Sequence, residues 1–123
     1  MIIFDSSALL HLFNGTEKGK DIKAKLKDEP IAVTSITIHE LLIGAKEKEK
    51  AALENFFKSV VVLPFDAEAS YKSIELENTL RRKGKPLAKL DLFIASICVL
   101  HNLPLFSTDR DFESIEELKL SLF

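Results

Sequence analysis

The sequence predicts an α/β protein, a three-layer α/β/α sandwich with a central parallel sheet. Short apolar runs rich in β-branched residues alternate with longer segments in which apolar residues recur at helical spacing. The earliest run, Ile2 to Phe4, is apolar throughout, which suits a central strand covered on both faces. Such alternation favours parallel strands with helices packed on both sides of the sheet. The 123 residues suit a single domain, 1–123, because one core typically serves roughly 100 to 150 residues.

Two helices are predicted directly after the first strand. Ser6 to Phe13 forms a short helix, and the pair Asn14-Gly15 ends it. Thr16 can then cap a second, lysine-rich helix that runs to about Lys27.

The second predicted strand, Ile31 to Thr34, runs directly into a third helix. Apolar residues at i, i+3, i+4 and i+7 from Ile38 predict this helix. Glu40 lies off that apolar face, and two isoleucines share its own side, so we expect its carboxylate to be partly buried. A lysine- and glutamate-rich fourth helix follows, from Glu47 to Ser59.

A third strand, Val60 to Phe65 with Pro64 interrupting it, precedes a long helix from Ala67 to Lys83. This helix carries two apolar stripes on nearly opposite sides: Ala67, Tyr71 and Ile74 form one, and Ala69, Leu76 and Leu80 form the other. One stripe should face the sheet. The other predicts a partner, most simply a second copy in a homodimer, because monomers tend not to expose such patches.

The last part of the chain begins with a helix from Leu90 to Leu100 that is apolar on nearly all sides. This pattern is typical of a helix buried between layers. Its apolar run is about half of the roughly 20 residues that a membrane span needs, so no membrane segment is predicted. A fourth strand from Leu103 to Phe106, a turn from Thr108 to Phe112 and a short final strand from Leu118 to Leu122 complete the prediction.

Composition limits the possible partners and the compartment. The net charge is −2 and the isoelectric point is near 5.9, so the whole chain lacks the basic character of a dedicated nucleic-acid binder. The single cysteine, Cys98, excludes an internal disulfide and fits a reducing compartment. The N-terminus runs straight into a strand without a signal-peptide pattern, and we therefore expect a cytoplasmic protein.

Four acids, Asp5, Glu40, Asp91 and Asp109, fall where a predicted strand gives way to a helix or within the first turns of a helix. In an open parallel sheet such ends converge on one edge, the usual position of a site. Carboxylates gathered there would repel one another and raise each other's pKa unless a cation lay among them. Oxygen ligands without His or Cys favour Mg²⁺ or Mn²⁺ over zinc.

Each acid also has a purely structural explanation. Asp5 could cap the helix that follows it, and Glu40 stands three residues after Thr37, at the spacing of a capping box. Asp91 lies in a first helical turn, where the helix dipole favours a negative charge. Asp109 lies in a turn, a position that aspartate favours. Helix caps alone, however, do not explain why all these acids fall at the same edge of the sheet.

The segment 81–89 is the strongly basic stretch beside a candidate site residue. It carries five positive charges without an acid, which are Arg81, Arg82, Lys83, Lys85 and Lys89. The segment could be only a solvated loop. Next to an acidic site, Arg81, Arg82, Lys85 and Lys89 are candidates for contacts to an RNA backbone.

Four short motifs follow one another along the chain: an apolar strand with Asp-x-Ser (Asp5, Ser7), Ser-x-x-x-x-Glu-Leu-x-x-Gly (Ser35, Glu40, Leu41, Gly44), Asp-x-x-Ile-Ala (Asp91, Ile94, Ala95) and Thr-Asp-x-Asp-Phe (Thr108, Asp109, Asp111, Phe112). In this order they resemble the motifs of the PIN-domain nucleases, and within them the compact VapC-type toxins of prokaryotic toxin–antitoxin pairs. Each motif alone is weak, but together they cover essentially the whole chain.

The resemblance implies an endoribonuclease that needs Mg²⁺ or Mn²⁺ and hydrolyses RNA phosphodiesters with a metal-activated water. It implies catalytic roles for Asp5, Glu40, Asp91 and Asp109, with Asp5, Asp91 and Asp109 holding the metal. Ser7 and Thr108 would support these acids by hydrogen bonding, and Asp111 would assist from one layer further out. Family members usually form homodimers and are inhibited by a small antitoxin protein whose tail blocks the site.

Two other interpretations stay open at the level of sequence. One is a housekeeping RNA-processing nuclease of the same fold that has no antitoxin. The other is a non-catalytic RNA-binding domain in which the acids serve only as helix caps.

Overall fold

A computed structural model describes all 123 residues and contains one five-stranded sheet. Its strands are β1 (Ile2–Phe4), β2 (Ile31–Thr34), β3 (Val61–Leu63), β4 (Leu105–Ser107) and β5 (Leu120–Leu122). All neighbouring strands are parallel, in the order β3-β2-β1-β4-β5. The predicted central parallel sheet is therefore confirmed.

Six α-helices and one 3₁₀ helix connect these strands. They are α1 (Ser6–Asn14), α2 (Glu17–Leu26), α3 (Ser35–Gly44), α4 (Glu47–Ser59), α5 (Ala67–Arg82), α6 (Lys89–His101) and the 3₁₀ helix Arg110–Ser114. Thr16 caps α2 as predicted, because its side chain accepts a hydrogen bond from the Gly19 N–H at 3.0 Å. Gly15, at φ 62°, ends α1 in the left-handed conformation that glycine adopts at little cost.

Three strands differ from their predicted bounds, and several helix ends differ by one residue. β3 stops at Leu63 rather than Phe65, because Pro64 has no N–H to donate to a neighbouring strand. β4 begins and ends later than predicted and includes Ser107. β5 starts two residues later than predicted, at Leu120. Of these differences, only the position of β4 affects the candidate site, because β4 includes Ser107.

Two apolar cores lie on opposite faces of the sheet, because successive strand residues point to opposite sides. Phe4 is fully buried in one core with residues of α1, α2, α3 and α4. Ile3 is fully buried in the other core, which α5 and α6 cover. The three-layer α/β/α arrangement is thus confirmed.

The order of the strands places a crevice beside the first strand. The chain steps outward from β1 to β2 to β3, and then crosses the opposite face to return as β4 on the other side of β1. Where the direction of winding reverses, the loops after the two central strands separate and leave a cleft at their carboxyl ends. Asp5 follows β1 directly, and Ser107 ends β4, so both residues lie at this switch point.

The two stripes of α5 have different environments. Ala69, Leu76 and Leu80 are buried against α6 and the sheet. Tyr71 and Ile74 are 76% and 57% exposed. One stripe therefore faces the core, as predicted, and the other is open to a partner.

Helix α6 is largely buried between layers, as its sequence predicts. Six of its residues are buried, and Cys98 is among them as a free thiol. Burial raises the pKa of this thiol well above its ordinary value, so the group is neutral and belongs to the core. No helix of the chain combines the length and the hydrophobicity that spanning a membrane requires.

Candidate active site

Asp5 is a buried carboxylate with partners for both of its oxygens. It caps α1, since its Oδ1 accepts a hydrogen bond from the Ala8 N–H at 2.9 Å. Ser7 Oγ donates to the same oxygen at 2.7 Å, and Ser107 Oγ donates to Oδ2 at 2.5 Å. Burial raises the pKa of Asp5, while these three hydrogen bonds oppose the rise. The capping explanation for Asp5 is correct, but it does not account for the contact with β4.

Two serines connect the loop after β1 to the loop after β4. Ser7 Oγ accepts a hydrogen bond from the Thr108 N–H at 3.1 Å, and Ser107 Oγ accepts one from the Asp109 N–H at 3.0 Å. Ser7 thus contacts Asp5 and the loop after β4, and Thr108 contributes its backbone N–H; the supporting roles of both residues stay predictions. Ser107 was not predicted. Its only signal in the sequence is its place just before Thr108 and Asp109 at the end of an apolar strand.

Glu40 reaches the same region from α3 and is half-buried, as predicted. Its Oε1 accepts a hydrogen bond from Ser6 Oγ at 3.0 Å. The capping-box explanation is wrong: Thr34 caps α3 by accepting a hydrogen bond from the Thr37 N–H, and Thr37 lies inside the helix. No helix cap therefore explains Glu40.

Asp91 lies in the first turn of α6 and faces the other acids. Burial raises its pKa to about 6, and the charges of Asp109, Glu40, Asp5 and Asp111 contribute to this rise. The electrostatic influence of all four carboxylates on Asp91 means that acids from four separate chain segments share one region. The convergence predicted from the sequence is present.

The three acids Asp91, Asp109 and Asp111 approach one another most closely. One oxygen from each lies within 4.8 Å of the others. Asp109 Oδ1 also accepts a hydrogen bond from the Asp111 N–H at 2.9 Å, which starts the 3₁₀ helix. Asp111, placed one layer out by the resemblance, is thus among the closest carboxylates. A direct contact between Asp5 and a metal stays a prediction, because both Asp5 oxygens accept hydrogen bonds within the protein.

These residues fit a hard divalent cation. The donors are all carboxylate oxygens, which suit Mg²⁺ or Mn²⁺. None of the five acids forms an ion pair with a lysine or arginine. A concentration of negative charge without a cationic side chain is stable mainly with a bound cation or a bound proton.

The predicted backbone-binding cations have different surroundings. Arg81 and Lys89 both pair with Glu77, and Arg82 donates to Thr79 Oγ1. Lys85 pairs with no acid and borders a pocket that Asp111 also lines. Of the four, Lys85 is therefore the one that forms no ion pair and shares a pocket with one of the acids.

Comparison with known proteins decides the family. The model of the PIN domain matches residues 2–118, which include every acid described above. The chain belongs to the PIN-domain family. Its relatives include Ribonuclease VapC2 of Rickettsia felis, which is 30% identical over 100 residues that cover 76% of this chain and 75% of that protein.

Other comparisons agree with this assignment. The tRNA(fMet)-specific endonuclease VapC of Salmonella typhimurium is 29% identical to this PIN domain over 101 residues, covering 77% of this chain and 76% of that protein. The crystal structure of VapBC2 from Rickettsia felis bound to a promoter DNA fragment superposes with a TM-score of 0.82 and 26% identity. That match covers 100% of this chain and 99% of the other chain.

Proposed function

We propose that this PIN domain is a metal-dependent endoribonuclease and the toxin of a VapBC-type toxin–antitoxin pair. The observation that carries the proposal is the set of five carboxylates at the switch point of the sheet, without any cationic side chain among them. Membership of the PIN-domain family and the similarity to VapC ribonucleases support the same activity.

The acids have distinct roles in this proposal. Asp91, Asp109 and Asp111 offer the closest carboxylate oxygens and would hold Mg²⁺ or Mn²⁺. Asp5 would complete the set from the end of β1, where Ser7 and Ser107 fix its orientation. Glu40 would orient a water or a ligand from α3, and the hydrogen bond from Ser6 Oγ supports it there.

A divalent cation in this cluster supplies two effects, activation of a water for attack at phosphorus and stabilisation of the negative charge that develops on the phosphate. The protein's own contribution is to hold these carboxylates close together and in fixed positions. Single-stranded or looped RNA fits the cleft better than a duplex, because its splayed backbone can approach closely. An antitoxin that covers this cleft would block access of RNA to the acids.

Incubating the purified protein with a mixed RNA pool tests the activity. The pool is exposed to wild type in Mg²⁺, in Mn²⁺ and in EDTA, and fragments are mapped by their ends. We expect discrete cuts that need the metal. The Asp5→Asn variant should lose about 100-fold or more in rate and still fold, because asparagine caps a helix as well as aspartate does.

Asp21→Asn, at an exposed position of α2, is the matched control and should cut like wild type. Metal-independent cleavage, or equal rates for Asp5→Asn and Asp21→Asn, would refute the assigned site. Expression of the chain alone separates a toxin from a housekeeping nuclease. A toxin arrests growth, and co-expression of its small antitoxin restores it.

A further inference from the structure

A shallow pocket of about 290 Å³ adjoins the acidic cluster on the side of the 3₁₀ helix. It is lined by Lys85, Pro86, Leu87, Arg110, Asp111 and Ser114. Asp111 belongs to both the pocket and the group of closest carboxylates. Anything that occupies this pocket is therefore a direct neighbour of the proposed cleavage site.

Lys85 brings to the pocket a positive charge that forms no ion pair, although it lies near enough to Glu116 to add to the effect of Lys83 in lowering the pKa of that carboxyl. Three of the other four cations of the segment 81–89 form ion pairs, namely Arg81 and Lys89 with Glu77 and Lys83 with Glu116, while Arg82 donates to Thr79 Oγ1. Lys85 has no such partner, but its backbone is anchored. Its N–H donates to the Leu80 carbonyl at 2.9 Å, and the nearby Leu87 packs against the core.

Arg110, in the 3₁₀ helix, brings the second positive charge to the pocket. Its side chain is 79% exposed, and its Nε pairs with Glu113 Oε1 at 3.2 Å. The terminal nitrogens Nη1 and Nη2 make no hydrogen bond within the protein, so the donors that suit a phosphate are available. Arg110 is the residue between the two acids Asp109 and Asp111, and this ties its backbone to the cluster.

From this arrangement we infer that Lys85 and Arg110 form a subsite for a backbone phosphate of RNA that neighbours the phosphate being cleaved. This inference rests on the proposed ribonuclease function. Two cations from separate segments face one small pocket, whereas Arg81 and Lys89 are held by Glu77 on the other side of Leu87. The RNA backbone therefore runs from the acids towards the 3₁₀ helix rather than along α5.

Binding of a labelled single-stranded RNA of mixed sequence tests the subsite. The measurements use the Asp5→Asn protein in Mg²⁺, so that the RNA stays intact, and fluorescence anisotropy gives Kd between about 50 and 200 mM salt. Lys85→Gln and Arg110→Gln are each added to this background. We expect Kd to rise about fivefold or more for each, and the slope of log K against log salt to fall by about 0.7.

Lys18→Gln is the matched control, since it removes the same charge from an exposed position of α2 that forms no ion pair. If Lys85→Gln and Arg110→Gln resemble Lys18→Gln, the subsite is wrong. The subsite is also wrong if Arg81→Gln weakens RNA binding as much as Lys85→Gln does, because the RNA backbone then follows α5.

If wild type neither binds nor cuts RNA, the ribonuclease proposal fails together with the subsite. If wild type cuts RNA but Kd does not change in Lys85→Gln and Arg110→Gln, the subsite alone is wrong.

Discussion

Partial burial, and after it the charges of four neighbouring carboxylates, disfavour ionisation of Asp91 and raise its pKa from 3.8 to about 6. The folded protein therefore binds a proton at Asp91 in a pH range in which the unfolded chain has released it. Under the linkage relation, the contribution of Asp91 to stability falls as pH rises from 3.8 to about 6. A bound divalent cation removes this effect, because it favours the charged form.

Urea unfolding in EDTA across this pH range tests the linkage at Asp91. We expect Asp91→Asn to become more stable relative to wild type as pH rises, with the difference levelling off above about pH 6. Asp21→Asn should show no such trend, because its exposed position on α2 lies outside the acidic cluster. A difference that is constant with pH would contradict the raised pKa.

Ser107 has a larger role than its size suggests. Its fully buried hydroxyl donates to Asp5 and accepts from the Asp109 N–H. Ser107→Ala leaves two buried polar groups without a partner, and we expect a loss of about 1 to 3 kcal/mol in unfolding free energy together with slower RNA cleavage. Ser59→Ala removes an exposed hydroxyl that bonds only the Phe56 carbonyl, and it should change stability by no more than about 0.5 kcal/mol. Equal effects of the two substitutions would show that the contact with β4 is unimportant.

At the scale of elements, the contact between α1 and α2 depends on a glycine. A Cβ built on Gly19 would lie 2.1 Å from the His11 carbonyl oxygen, so Gly19→Ala must push the two helices apart. We expect a loss of about 1 to 3 kcal/mol in unfolding free energy. Gly44→Ala is the control, because nothing lies within 4 Å of the added atom, and it should be neutral or stabilising by up to about 1 kcal/mol. If Gly19→Ala unfolds at the same denaturant concentration as wild type, α1 and α2 do not approach each other so closely at Gly19.

Local sequence patterns predict the helices and strands well, but they do not predict which residues of different elements come into contact. The bounds of α4 and of β2 follow from spacing and composition alone. The close approach at Gly19 has no local signal, because it depends on the angle at which two helices cross. Ser107 has only a weak signal, since its partner Asp5 lies 102 residues away in sequence.

The acidic site itself was largely predictable, for a physical reason. Asp5 and Asp109 come just after β1 and β4, and the carboxyl ends of parallel strands lie at one edge of the sheet. Asp91 follows α5 rather than a strand, so its place at this edge does not follow from the same rule. The relative positions within the site were not predictable in this way. Asp111 lies among the closest carboxylates only because the 3₁₀ helix turns its side chain back towards Asp91 and Asp109.

At the scale of the whole molecule, the exposed stripe of α5 predicts a homodimer. Tyr71 and Ile74 are 76% and 57% exposed on a helix whose opposite stripe is buried. We expect wild type to sediment as a dimer and the double variant Tyr71→Arg, Ile74→Arg to sediment as a folded monomer. Ala51→Arg, at an exposed position of α4, should leave the dimer intact. If wild type stays monomeric at all concentrations, the exposed stripe of α5 is not a dimer interface.

The central position of β1 has a consequence for protein synthesis. β1 pairs with β2 on one side and with β4 on the other, and the contact between Asp5 and Ser107 at the ends of β1 and β4 joins residues 102 positions apart in sequence. A nascent chain that has emerged only through α6 already carries Asp5, Glu40 and Asp91, but it lacks the strand and the serine that orient Asp5. Because domains fold as units and long-range pairing is slow to form, translation yields no cutting site until β4 has left the ribosome.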